Sequence, residues 1–175
     1  MKLHLIEVIR YKESRYAELF IAVSFIVFAA IGILLIIAGK AYQYNSLEWP
    51  WFLLCCFCYI VLHEIIHVIT MKIFAEGKLS ISFCFPTISV GSEAVFSKGQ
   101  FIAIALAPVV SLSLVLFLLL LFSSKQYSLL FSVLMTLNFA SSTGDFLQVL
   151  VIRKYPAGTY FQDDSSQTFV YKKAE

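Results

Sequence analysis

The sequence predicts an all-α integral membrane protein, with four transmembrane helices and a small cytoplasmic β-hairpin between the second and the third. Three observations carry that prediction. Hydrophobic residues fill 60% of the 175 positions and charged residues only 14%, against about 45–50% and about 25% in an ordinary soluble domain. Four segments reach the roughly 20 apolar residues that a helix needs to cross a hydrocarbon core. The basic residues fall on alternate sides of those segments, which fixes an orientation.

The length suits one membrane domain over residues 1–175. Mean hydropathy is +0.85. A net charge of +2 without a long basic run argues against a nucleic-acid partner. The partner to expect is the lipid bilayer. Of the four cysteines, Cys55, Cys56 and Cys58 lie inside one apolar segment and Cys84 stands apart. Free cysteine packs as a small hydrophobe, and no disulfide framework is implied.

Taken in order, residues 1–16 read as a charged lead-in or as an interfacial amphipathic helix with Leu3, Ile6 and Ile9 toward lipid. The first span covers about 17–38. Its apolar run exceeds the roughly 7–15 residues of a signal-peptide core, so it reads as a retained helix. The second span covers about 49–71. Residues 78–97 then change character. Lys78 to Phe83 alternates polar and apolar, Pro86 breaks the run, Thr87 to Val90 alternates again, and Gly91-Ser92 supplies a turn before Ala94-Val95-Phe96. Period-two alternation bounded by breakers predicts a β-rich loop. The third span, about 101–122, contains Pro108. A proline there kinks or breaks a helix, with Ser111 or Ser113 satisfying freed backbone groups. This span carries no catalytic side chain, and its role reads as architectural or as gating. The fourth span covers about 127–152. The tail, 153–175, holds one more candidate strand, Thr168 to Tyr171, after the turn-prone Asp163-Asp164-Ser165-Ser166.

Eleven of the thirteen basic residues flank one side. They are Lys2, Arg10, Lys12 and Arg15 before the first span; Lys72, Lys78 and Lys98 between the second and third; and Arg153, Lys154, Lys172 and Lys173 in the tail. Only Lys40 and Lys125 fall elsewhere. The positive-inside rule therefore places both termini and the middle loop in the cytoplasm.

The second span contains His63-Glu64-Ile65-Ile66-His67, an H-E-x-x-H sequence. Residues four apart share a helix face, so both imidazoles can reach one metal ion. Zinc suits imidazole ligands, and the intervening Glu64 can take a proton from the attacking water. Ionisable side chains cost at least about 2.5–3.5 kcal/mol each in a bilayer core. The first and third spans hold none there, the second holds His63, Glu64 and His67, and the fourth holds Asp145. Ile65 lies seven residues before Lys72, and Asp145 lies seven before Ile152. At 1.5 Å per residue both stand about 10 Å below the cytoplasmic end of their helices. Asp145 is therefore the preferred third ligand, with Glu93 and Glu76 as rivals outside the membrane. A His–Asp cluster that merely glues two helices is the bland alternative. Asn138, Ser141, Ser142, Asp145 and Gln148 form a polar stripe on the fourth span. Asn138 is the candidate substrate-binding residue there, two turns from Asp145, where it could grip a substrate carbonyl or an oxyanion.

With these residues in hand, the chain resembles the site-2 protease class. More closely, it resembles a bacterial family of small four-span membrane zincin peptidases. The resemblance rests on the H-E-x-x-H of 63–67, Leu106-Ala107-Pro108, the segment from Asn138 to Gly144-Asp145, and Arg153-Lys154-Tyr155-Pro156. In the site-2 class the later element reads Asn, then prolines, then Leu-Asp-Gly. Here a serine-rich stretch separates Asn138 from Gly144-Asp145, without those prolines. The resemblance implies a zinc metalloendopeptidase of the bacterial cytoplasmic membrane. It implies His63, His67 and Asp145 as metal ligands, Glu64 as catalytic base, and a membrane-protein segment or peptide as substrate. The alternatives are a catalytically silent relative, acting as a regulator or immunity factor that binds membrane proteins, and a metal-handling membrane protein.

Overall fold

The computed structural model describes residues 3–38, 48–84 and 87–173. Three helices are long and apolar enough to cross a membrane: α1 (Arg15–Ala38), α2 (Trp49–Phe74) and α3 (Lys98–Phe122). With 24–26 residues each, they run about 36–39 Å, longer than a hydrocarbon core of about 30 Å.

The expectation of an all-α protein with four transmembrane helices is corrected on two counts. First, the segment expected as the fourth span is two helices, α4 (Ser128–Ser141) and α5 (Thr143–Ile152). The break falls at Ser142, whose backbone leaves the helical region at φ −76°, ψ 7°. Its hydroxyl and that of Ser141 both donate to the Asn138 carbonyl, at 2.8 and 3.4 Å. Serine hydroxyls that bond back to a helix carbonyl compete with the backbone ladder and bend it.

Second, the protein is mixed. Its β-strands are β1 (Leu3–Ile9), β2 (Leu79–Cys84), β3 (Thr87–Ser92), β4 (Phe96–Ser97), β5 (Thr159–Asp163) and β6 (Thr168–Lys173). The expected hairpin is β2–β3, and Gly91-Ser92, read as a turn, instead completes β3. Pro86 lies outside the described residues. The other strands form one four-stranded antiparallel sheet in the order β1-β6-β5-β4. Residues 3–9 are thus a strand and not an interfacial helix. They pair with β6 from Leu3↔Lys173 to Ile9↔Thr168, with a bulge between Leu5 and Glu7. β-branched Ile6, Val8 and Ile9 suit that partnership.

The sheet gathers the start of α1, the start of α3 and the end of α5 at one end of the molecule. Phe96, Phe161, Val170 and Ile152 form a fully buried core there, joined by Phe101 and Ile104 of α3 and Met71 of α2. Gln100 accepts hydrogen bonds from the Ser97 N–H and hydroxyl, both at 2.9 Å, and so caps α3. Lys98 Nζ donates to the carbonyls of Arg153 (2.8 Å) and Tyr155, which places a cation at the C-terminus of α5. The β2–β3 hairpin clasps the β5–β6 turn. Ser80 and Ser89 hydroxyls donate to the carbonyls of Asp164 and Ser165, at 2.9 and 3.0 Å, and Gly91 sits where a Cβ would strike the backbone of that turn.

A second core binds α2, α3 and α4 toward the opposite end, through Phe52, Tyr59, Leu112, Leu116, Leu130 and Leu134. Helix α1 lies outside, against α4 and α5. Phe28 stacks on Phe139 and meets Phe146 at a tilt, and Gly32 meets the Thr136 side chain too closely for any Cβ.

Candidate metal centre

Along α2 the buried positions include Tyr59, His63, His67 and Met71, spaced by four. That single face turns toward α3, α4 and α5, while Leu62, Ile65 and Ile69 stay exposed on the lipid side. The two imidazoles stack up the helix with ring centroids 5.1 Å apart. Asp145 lies in the first turn of α5, and its two oxygens face the two rings. Oδ2 is 3.3 Å from His63 Nε2, and Oδ1 is 3.4 Å from His67 Nε2.

These distances fit a metal better than a pair of hydrogen bonds. Charge-assisted N–H···O contacts close to about 2.7–2.9 Å. Zinc holds nitrogen and carboxylate oxygen at about 2.0–2.2 Å, so neighbouring ligands of a tetrahedral site stand about 3.4 Å apart. The donor atoms of His63, His67 and Asp145 all lie within 4.8 Å of one another. Two imidazoles and a carboxylate leave a fourth position for water or substrate, which is the donor set of a catalytic zinc site.

The tautomer of His67 agrees. Its Nδ1 lies 3.0 Å from the Ile104 carbonyl of α3. A carbonyl only accepts, so Nδ1 carries a proton, and Nε2, which faces Asp145, is the nitrogen left to serve as ligand. Zinc-binding histidines are held in this way, with the second ring nitrogen on a carbonyl or carboxylate. His63 Nδ1 is buried without a hydrogen-bond partner among the described residues.

Glu64 is half-buried beside the two histidines on α2. Glu76 and Glu93, the rival ligands, are exposed and stand outside the cluster. Asn138 stands one helix break away from Asp145 and is fully buried. Its Oδ1 accepts from the Tyr59 hydroxyl, and its Nδ2 donates to the Val109 carbonyl (3.1 Å) and the Ser113 hydroxyl (2.7 Å). The amide therefore ties α2, α3 and α4 together one turn from His63. Tyr59 was legible as a member of this face by its spacing from His63. The Ile104 carbonyl was not, because a main-chain group leaves no side-chain pattern.

A family model described as "putative zincin peptidase" matches residues 56–160, three fifths of the chain, from the middle of α2 to the start of β5. No curated protein and no solved structure matches.

Proposed function

The chain belongs to the family described as putative zincin peptidases, and from that premise we propose that it is an intramembrane zinc metallopeptidase of the site-2 protease type. Its substrates are peptide bonds of membrane-associated protein segments. The carrying observation is the convergence of His63, His67 and Asp145 from two helices, with Glu64 beside them. The apolar α1, α2 and α3 support a membrane protein. The chain enters the bacterial cytoplasmic membrane with both termini in the cytoplasm. The sheet supports that orientation, because it pairs β1 with β6 and so sets the segment before α1 beside the segment that follows α5.

Zinc held at this site supplies Lewis acidity toward the scissile carbonyl and toward water. The protein does the rest. His63, His67 and Asp145 offer the donors, and the Ile104 carbonyl fixes one imidazole. Glu64 accepts the proton that the attacking water gives up and returns it to the leaving amine nitrogen. Asn138 serves by holding Tyr59 and its helix face in place; a direct contact with substrate requires the Tyr59 hydroxyl to release the amide oxygen. A helical peptide bond is shielded, so the substrate must be locally unwound. Among the described residues the β2–β3 hairpin is a sheet of two strands that no further strand joins, and such an edge accepts an extended peptide by strand addition.

The test is zinc per chain in detergent-purified protein, read beside cleavage of membrane-segment peptides in proteoliposomes. Wild type holds about one zinc, and Asp145→Ala loses it. Glu64→Gln keeps zinc and loses about 10²–10⁴-fold in cleavage rate. Cleavage by Glu64→Gln at the wild-type rate refutes the assigned base. A wild type that takes up no zinc refutes the metal centre.

A further inference from the structure

In an α-helix the N–H of each residue donates to the carbonyl four residues earlier. In α3 the acceptor for residue 108 is Ile104. Residue 108 is proline, which has no N–H and whose ring pushes against that same carbonyl. The helix nevertheless runs without a break from Lys98 to Phe122, so the proline does not end it. Ser111 bonds the neighbouring carbonyls, Ala107 at 2.7 Å and Pro108 at 3.4 Å, and not that of Ile104. Ile104 and Pro108 are both buried, and a buried carbonyl without a partner is costly. The donor that reaches the Ile104 carbonyl is His67 Nδ1, from another helix.

We propose that Pro108 is a positioning residue of the metal centre. By withdrawing the helix's own donor from the Ile104 carbonyl, it reserves that carbonyl for His67 Nδ1. That bond holds the His67 ring in the orientation and tautomer that leave Nε2 free for the metal. From the sequence, Pro108 reads as a kink or a break in a helix whose role is architectural or gating. The structure instead brings one α3 carbonyl to a ligand, and it is the carbonyl that proline vacates. This inference rests on the zincin reading above.

The test uses the full chain in detergent and two variants, Pro108→Ala and Pro108→Val. Both restore an N–H at position 108; alanine leaves a void and valine nearly fills it. Three quantities are read: zinc affinity by competition with a chromophoric chelator, the visible absorption of the cobalt-substituted protein, and the melting temperature of the metal-free protein. Both variants are expected to bind zinc about 10-fold or more weakly, within the 10–100-fold range that second-layer partners of metal ligands command. Both should show an altered cobalt spectrum. Their metal-free melting temperatures should equal or exceed that of wild type, because proline is the poorest residue inside a helix. A general weakening of the fold moves stability and affinity down together; the opposite signs expected here separate the two. Wild-type affinity in both variants overturns the inference and leaves the zincin reading intact. A loss in Pro108→Ala but not in Pro108→Val assigns the effect to the void and also overturns it. A wild type that binds no zinc overturns this inference and the zincin reading together.

Discussion

Replacing Asp163 by asparagine should flatten the dependence of stability on pH. Asp163 is 9% exposed. Its Oδ2 accepts from Gln148 Nε2 of α5 at 2.9 Å and from the Thr168 hydroxyl at 3.2 Å, and its Oδ1 from the Ser165 N–H at 2.8 Å. Burial pushes its carboxyl up from 3.8 to about 6, with the charge of Asp164 adding to the rise and the three hydrogen bonds opposing it. The native state therefore holds the proton more tightly than the unfolded chain. Stability from this group is fully present below pH 3.8 and is lost as pH rises through 6. The rise of about two pH units corresponds to about 3 kcal/mol, at 1.36 kcal/mol per unit. Asparagine abolishes the titration but offers one acceptor oxygen fewer, which costs about 1–3 kcal/mol. The two effects nearly cancel at neutral pH, so comparison at one pH is uninformative. The quantity to measure is the stability difference between wild type and Asp163→Asn, by unfolding of metal-free protein in one detergent from pH 3.5 to 7.5. That difference should move by about 3 kcal/mol, in favour of the variant as pH rises. Titrations remote from position 163 cancel in it, and the coupling of Asp164 to Asp163 is part of the difference. Parallel stability curves refute the reasoning.

Other perturbations have equally definite signs. Asn138→Ala strips the partners from the Tyr59 hydroxyl, the Val109 carbonyl and the Ser113 hydroxyl inside the bundle. It should cost about 2–4 kcal/mol in thermal unfolding, and Tyr59→Phe should cost less. Gly32→Ala places a methyl against Thr136 and should lower stability by about 1–3 kcal/mol through overpacking. The double variant Gly32→Ala with Thr136→Ala should recover part of that loss; a double variant no better than the single one means that α1 and α4 are not held at this contact.

What the sequence made legible depended on distance along the chain. The H-E-x-x-H of α2 shows itself because both histidines lie within one turn of each other, and the β2–β3 hairpin because its strands are adjacent. Asp145 was reachable by depth alone, since two counts of seven residues put it level with Ile65. The four-stranded sheet was legible only in pieces: the strand read at Thr168 to Tyr171 falls within β6 and Phe96 opens β4, but their pairing into one sheet with β1 and β5 was not. Its outer pairing joins Leu3 to Lys173, and a seven-residue strand at a chain end carries no period that reveals so remote a partner. Leu3, Ile6 and Ile9 even suggest a helix by their spacing. The break at Ser142 escaped for a different reason. An apolar stretch with a few serines has the composition of a continuous span, and only the hydroxyl bonds to the Asn138 carbonyl end the helix there.

These two surprises belong together. A helix of ten residues has little stability of its own, so α5 takes its position from what surrounds it, and with it Asp145. Packing against α3 and α1 supplies part of that position, and three further contacts hold the rest of the helix, which starts afresh after the break at Ser142. Lys98 binds the carbonyls at the far end of α5. Ile152 closes into the core beneath Phe161 and Val170. Gln148, one turn beyond Asp145, reaches Asp163 at the base of the β5–β6 turn. All three involve the sheet or the chain that leads to it. The histidines, by contrast, sit mid-way along a 26-residue helix that packs on α3 along its length. The metal site thus joins two histidines on α2 to a third ligand on a short helix held by α3, by α1 and by the sheet. The sheet is therefore part of what builds the site, and it is also where the β2–β3 hairpin is anchored through Ser80, Ser89 and Gly91.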